Sequence, residues 1–177
     1  QQSDPNLFCT ISLSKSKAYV GEQIVATYTL YSRYNTLQRD DYDLPKLDGF
    51  WAEEIDIGET TWSKAPQKVN GLPYNVAVLK KQLLFPQRSG KLRIAPMVLN
   101  FRVNAGFFNN GTPVRITSNS AEVQVMDLPA DKPADFIGAV GELKMDLTVA
   151  STTVKANEAI DLTIKFSGRA NLKLLDA

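Results

Sequence analysis

From Cys9 to Met126 nearly every apolar stretch alternates with polar residues at a period of two, and Gly, Pro or Asn-Gly breaks the pattern at short intervals. Successive side chains on a strand point to opposite faces, so this alternation buries one face of a sheet and wets the other. Cys9, Ile11 and Leu13 alternate with Thr10, Ser12 and Ser14; Ile24, Ala26, Tyr28 and Leu30 alternate with Val25, Thr27, Thr29 and Tyr31. Further strands are expected over 50–57, 73–85, 90–95, 97–103, 113–118 and 121–126. About eight strands at this spacing describe an all-β chain built on an immunoglobulin-like β-sandwich. Phe50 and Ile55 differ in parity, which predicts a bulge or an edge strand over 50–57. Helical periodicity is hard to find.

The opening of the pattern returns later in the chain. GEQIVATYTLYSR (21–33) reappears as NEAIDLTIKFSGR (157–169), an offset of 136 positions that carries Glu22 onto Glu158, Ile24 onto Ile160 and Thr27 onto Thr163. The same offset carries Cys9, Ile11 and Leu13 onto Met145, Leu147 and Val149 without a gap. Gly21 falls on Asn157, and these are the residue types that best tolerate positive φ, so a tight turn is predicted before each glutamate. The expected organisation is a complete sandwich over 1–126 and a Pro-rich linker, DLPADKPADF, over 127–136. Residues 137–177 are expected to hold the N-terminal part of a second immunoglobulin-like module, cut short after two or three strands. Two strands cannot bury a core alone.

Charge and chemistry exclude several classes. The formal net charge is +1, which argues against nucleic-acid binding driven by bulk charge. No run approaches the roughly 18 apolar residues of a membrane helix. QQSDPNLF lacks the basic and apolar regions of a signal peptide, so either a signal has been removed or the chain is a piece of a longer one. There is no histidine and one cysteine, Cys9, so Ser-His or Cys-His nucleophiles and His-containing metal sites cannot be assembled. The reading is a non-enzymatic chain without cofactor or metal. Cys9 is expected on the inward face of the first strand as a small core residue.

Candidate binding residues follow from exposure and charge. Phe107 and Phe108 stand between Gly106 and Asn109-Asn110-Gly111, a hairpin-turn signal. Aromatics at such a tip anchor a protein partner or stack on a sugar; the bland alternative tucks one ring back onto the sandwich. Trp51 and Trp62 are the other aromatics expected to be exposed. Asp40, Asp41 and Asp43 open an acidic segment of eight carboxylates and one base (40–59), whereas 60–121 holds nine bases and no acid. Either the two stretches make opposed surfaces that steer a partner, or the charges pair across neighbouring strands. DDYD with Asp48 lacks the frame of a calcium loop and is expected to be a solvated loop. Glu53 and Glu54 should face opposite sides of a strand, which prevents a catalytic dyad. Lys80, Lys81 and Arg88 are expected to be solvated charges.

YVGEQIVATYTLYSR, LPKLDGFWAEEI, LLFPQRSGKLRIAPM, PADFIGAVGELKMDL and KANEAIDLTIKFSGRANLKLLDA together resemble the BatD family, the oxygen tolerance (aerotolerance) proteins of Bacteroides-type bacteria. FxGAVG after the Pro-rich linker, then KANEA and SGxxNLK, carry most of the resemblance, which covers nearly the whole chain and an internal region of that family. It implies β-sandwich modules in the periplasm, anchored to the inner membrane by a C-terminal helix absent from this chain. It also implies a scaffold role in stress resistance beside other Bat operon proteins, among them von Willebrand A-type and TPR proteins and a MoxR-type ATPase. It brings no catalytic residues. Ala170 stands where a glycine is expected, and NAGFFNNGTP (104–113) matches no family pattern. A carbohydrate-binding or adhesin module is the alternative.

Overall fold

The computed structural model describes residues 4–174; residues 1–3 and 175–177, which end the first and last expected segments, lie outside the described residues. Two sheets face each other. The first has the order β1 (Leu7–Leu13), β3 (Ile24–Ser32), β7 (Leu72–Pro86), β5 (Phe50–Ile55), with the short β6 (Gln67–Val69) folded onto the start of β7. The second contains two ladders, β2 (Lys17–Tyr19), β11 (Ala121–Met126), β8 (Gly90–Ile94) and β10 (Thr112–Thr117), β9 (Val98–Val103), β4 (Leu37–Asp43). These ladders are one bent hairpin, because β8 leads into β9 through Pro96 and β10 into β11 through Ser118. Pro96 has no N–H to offer a ladder. Across the bend Ser118 N–H donates to the Met97 carbonyl, and the Ser118 hydroxyl accepts from Met97 N–H, both at 2.9 Å.

β2 runs parallel to β11, so the first strand segment crosses from one sheet to the other. The resulting order, β1-β3-β7-β5 against β2-β11/β10-β8/β9-β4, is that of an immunoglobulin-type sandwich with its first strand split between sheets. The alternation read from the sequence explains the core. Ile24, Ala26, Tyr28 and Leu30 point inward and are at most 1% exposed, and Cys9 joins them at 3%. Leu92, Ile94, Leu99, Phe101, Val123 and Val125 face them from the second sheet, all at most 2% exposed. Burial holds the Cys9 thiol at a pKa of about 12.

Several elements differ from expectation. DDYD is not a loop: Asp40, Asp41 and Asp43 lie on β4, paired to β9 with a register shift between Arg39 and Asp41. Its six positions after Leu37 are exposed, so no apolar alternation announced it. β2 and β6, three residues each, were likewise unforeseen. β5 is an edge strand and pairs with β7 without a register shift, as one of the two expected alternatives had it. Lys80 is not solvated. It is 7% exposed because a register shift at Tyr28/Thr29 brings it inward, directly opposite Tyr28. Its ammonium reaches the open flank of the sandwich and pairs with Glu54 at 2.6 Å.

The repeat is preserved as geometry. β12 (Glu142–Val149) and β13 (Leu162–Arg169) form a separate two-stranded antiparallel sheet. Met145 faces Phe166, Leu147 faces Ile164 and Val149 faces Leu162, each pair displaced by the same offset from Cys9–Leu30, Ile11–Tyr28 and Leu13–Ala26. Gly21 and Asn157 both take positive φ, 79° and 69°. In each turn the glutamate side chain accepts from a backbone N–H three residues back at 2.9 Å, Tyr19 to Glu22 and Lys155 to Glu158. At Glu22 burial favours the protonated carboxyl, but the hydrogen bonds from Lys15 and Tyr19 outweigh it and its pKa is lowered.

What differs is burial. Met145, Leu147, Leu162, Ile164 and Phe166 are 42–62% exposed, whereas their counterparts in the first hairpin are at most 4% exposed. An apolar face of this kind drives association in water. Replacing both Leu147 and Ile164 by serine is expected to reduce self-association in sedimentation and to reduce binding of a hydrophobic dye. The melting of the β1–β11 sandwich should stay where it was.

Candidate functional site

β9 and β10 continue into the loop that ends the sandwich. Gly106 and Asn109 exchange two backbone hydrogen bonds, at 3.0 and 3.2 Å, leaving only Phe107 and Phe108 at the tip. The turn therefore closes at Gly106–Asn109 rather than at Asn110-Gly111. The Asn109 side chain braces it, donating to the Asn104 carbonyl at 3.2 Å and accepting from Gly111 N–H. Phe107 and Phe108 are 94% and 95% exposed and meet edge to face with centroids 4.9 Å apart. The expectation that one ring folds back is wrong: a two-residue tip has no length in which to return to the sandwich.

The same end carries a groove of about 530 Å³, lined by Tyr34, Asn35, Thr36, Leu37, Gln38, Trp62, Asn75 and Ala105. Tyr34 is anchored through its hydroxyl, which donates to Asp4 at 2.8 Å, and through its N–H, which donates to Ser32 Oγ. The hydrogen bond to the Asp4 carboxylate, together with burial, raises the Tyr34 pKa. Trp62 is 45% exposed and held by a bridge to Ala77. Its other flank borders a second groove of about 430 Å³ that includes Glu59, Lys64 and Lys81.

The remaining candidates lie elsewhere. Trp51 sits at the opposite end, where Gly21 N–H donates to Pro86 and Val20 N–H to Met126. It packs on Phe85 at 5.2 Å, and the Lys173 ammonium lies 5.5 Å from its ring while pairing with Glu53. Trp51 thus contacts the segment after the second hairpin, whereas Glu22 bridges Val140 in the segment just before it. The acidic and basic stretches meet across strands: Asp40 pairs with Arg102 at 3.0 Å, and Asp41 accepts from the Asn100 side chain at 2.6 Å. Asp43 makes no ion pair with a described residue. Glu53 and Glu54 face opposite sides, bound to Lys173 and Lys80 respectively. Among the described residues no group of three or more Asp, Glu or Cys gathers as for a metal ion.

Sequence reasoning singled out the Phe tip and Trp62 but missed the groove that Trp62 lines. Its walls come from segments 34–38, 62, 75 and 105, and nothing local to any of these announces the others. No protein-family model matches the chain. No curated protein matches it either. Among solved structures it is similar to a non-cellulosomal cohesin from the hyperthermophilic archaeon Archaeoglobus fulgidus, at 11% identity and a TM-score of 0.28, over 67% of this chain and 91% of that one. At that distance the likeness bears no weight, and the assignment to the immunoglobulin-type sandwiches rests on the strand order described above.

Proposed function

We propose that this chain is a non-enzymatic protein-interaction region of a BatD-like envelope protein, and that the Phe107–Phe108 tip is its anchor. The supporting observation is the near-complete exposure of two adjacent phenylalanines on a braced two-residue turn. Large apolar rings in that state gain most when a partner pocket takes them out of water, and the rigid sandwich limits the ordering cost. The periplasmic setting, the inner-membrane anchor and the association with stress resistance come from the resemblance. So do the partners, the von Willebrand A-type and TPR proteins of the same operon. No helix among the described residues is long and apolar enough to cross a membrane.

Purified von Willebrand A-type and TPR partners are expected to retain the chain in a binding assay. The Phe107→Ser/Phe108→Ser variant should lose at least about 30-fold in affinity, the scale of an anchor residue pair. Its melting temperature should be unchanged, because neither ring packs on the core. Equal binding by the variant would remove the tip from the interface, and no binding by the wild-type chain would count against the reading as a whole.

A further inference from the structure

The groove beside the tip points to a different ligand, and we propose that it is a binding site for a neutral saccharide. This goes beyond the protein-interaction reading and does not depend on it. None of the groove's lining residues carries a formal charge. Asn35, Gln38 and Asn75 supply three carboxamides, and none of these side chains has a hydrogen-bond partner among the described residues. A carboxamide both donates and accepts, as a sugar hydroxyl does, so the two match without either having to ionise. The aromatic walls, Tyr34 and Trp62, offer ring surface to the apolar face of a pyranose.

The groove is also preorganised. Ser63, next to Trp62, donates its N–H to the Val76 carbonyl at 2.7 Å, accepts from Val76 N–H at 3.2 Å, and donates its hydroxyl to the Ala65 carbonyl at 2.9 Å. Tyr34 is held at its hydroxyl and its N–H. Walls fixed by their own backbone and polar groups that remain free to bind are what a specific site requires. A volume of about 530 Å³ lies within the range of small-molecule sites. A peptide fits less well. The natural route for one is strand addition along β4, and that edge is charged and interrupted at Asp40, both features that oppose added strands. An anionic glycan would find no lysine or arginine in the lining.

The test is titration of the whole chain, isotopically labelled, with cellotetraose, chitotetraose, maltotetraose and xylotetraose, and with tetragalacturonate as the anionic comparator. The expected result is that at least one neutral tetrasaccharide binds, with amide shifts confined to 34–38, 62–63, 75 and 105. Trp62→Ala and, independently, Gln38→Ala should each weaken that binding about tenfold or more while the melting temperature holds. Phe107→Ser/Phe108→Ser should bind sugar as the wild type does, which separates this site from the tip. The proposal is overturned if no neutral sugar binds, if tetragalacturonate binds as tightly, or if the shifts map away from the groove. It is equally overturned if folded Trp62→Ala and Gln38→Ala keep full affinity, or if an uncharged pentapeptide occupies the groove where none of the sugars does.

Discussion

Phe101→Ala is expected to lower the unfolding free energy of the sandwich by about 3–5 kcal/mol, the range for removing a wholly buried ring and leaving a cavity. Phe101 is 2% exposed on β9, the central strand of its ladder, so the hole opens where neighbouring strands can least close it. Denaturant unfolding measures the change, and Cys9 offers a second readout. Its thiol is 3% exposed with a pKa pushed up to about 12 by burial, so the folded chain carries almost no thiolate at pH 8. Unfolding restores an ordinary thiol near pKa 8.5. Alkylation at pH 8 should therefore track the unfolded population and run about 100-fold or more faster in Phe101→Ala. Tyr28→Phe tests the opposite sign at the same depth. Tyr28 is fully buried and its hydroxyl has no hydrogen-bond partner among the described residues, so removing that oxygen should be neutral or stabilising by up to about 1–2 kcal/mol. A loss above about 1 kcal/mol in Tyr28→Phe would show that the hydroxyl is satisfied in solution.

Gly168→Ala is expected to disrupt the second hairpin and leave the first sandwich intact. Gly168 has φ of 145°, a conformation that L-residues rarely adopt, and a Cβ there would collide with the Glu142 carbonyl oxygen across the strand pair. Backbone strain of this kind costs about 1–3 kcal/mol before the collision is counted. The strand must therefore move away from its partner at Leu143–Gly168, the end nearest the Lys173 contact with Trp51 and Glu53. Amide exchange should show lost protection over 142–149 and 162–169, with exchange over 24–32 and 98–103 unaffected. Equal protection in the variant would mean that the hairpin end is arranged differently from the structure. The counterpart of Gly168 at the repeat offset is Ser32, so the glycine belongs to the second hairpin's own path and not to the duplicated pattern.

The duplicated hairpins show how far the chain was legible. Period-two alternation located β1, β3, β8, β9, β11, β12 and β13 to within a few residues, because a strand's two faces are written in consecutive side chains. The turn before each glutamate was also legible, since Gly21 and Asn157 declare their backbone conformation locally. The offset then carried register with it, because pairing in an antiparallel hairpin follows from where its apolar residues lie.

Other features were settled by partners distant in the chain. β4 is a strand because β9 offers it a main-chain ladder, and a ladder leaves no mark on the side chains of an exposed acidic edge. Lys80 is inward because a register shift against β3 reversed its parity, and Glu54 from another strand makes that placement tolerable. Trp51 and Trp62 look alike as exposed tryptophans, yet one meets Lys173 and the other walls a groove with Tyr34 and Asn75. Alternation and turn chemistry act within a few residues, so the residue order determined which segments are strands and which way their faces point. Burial of a charge, the company of an aromatic ring and the shape of a groove arise where segments tens of residues apart pack together, and those were decided by the tertiary structure alone.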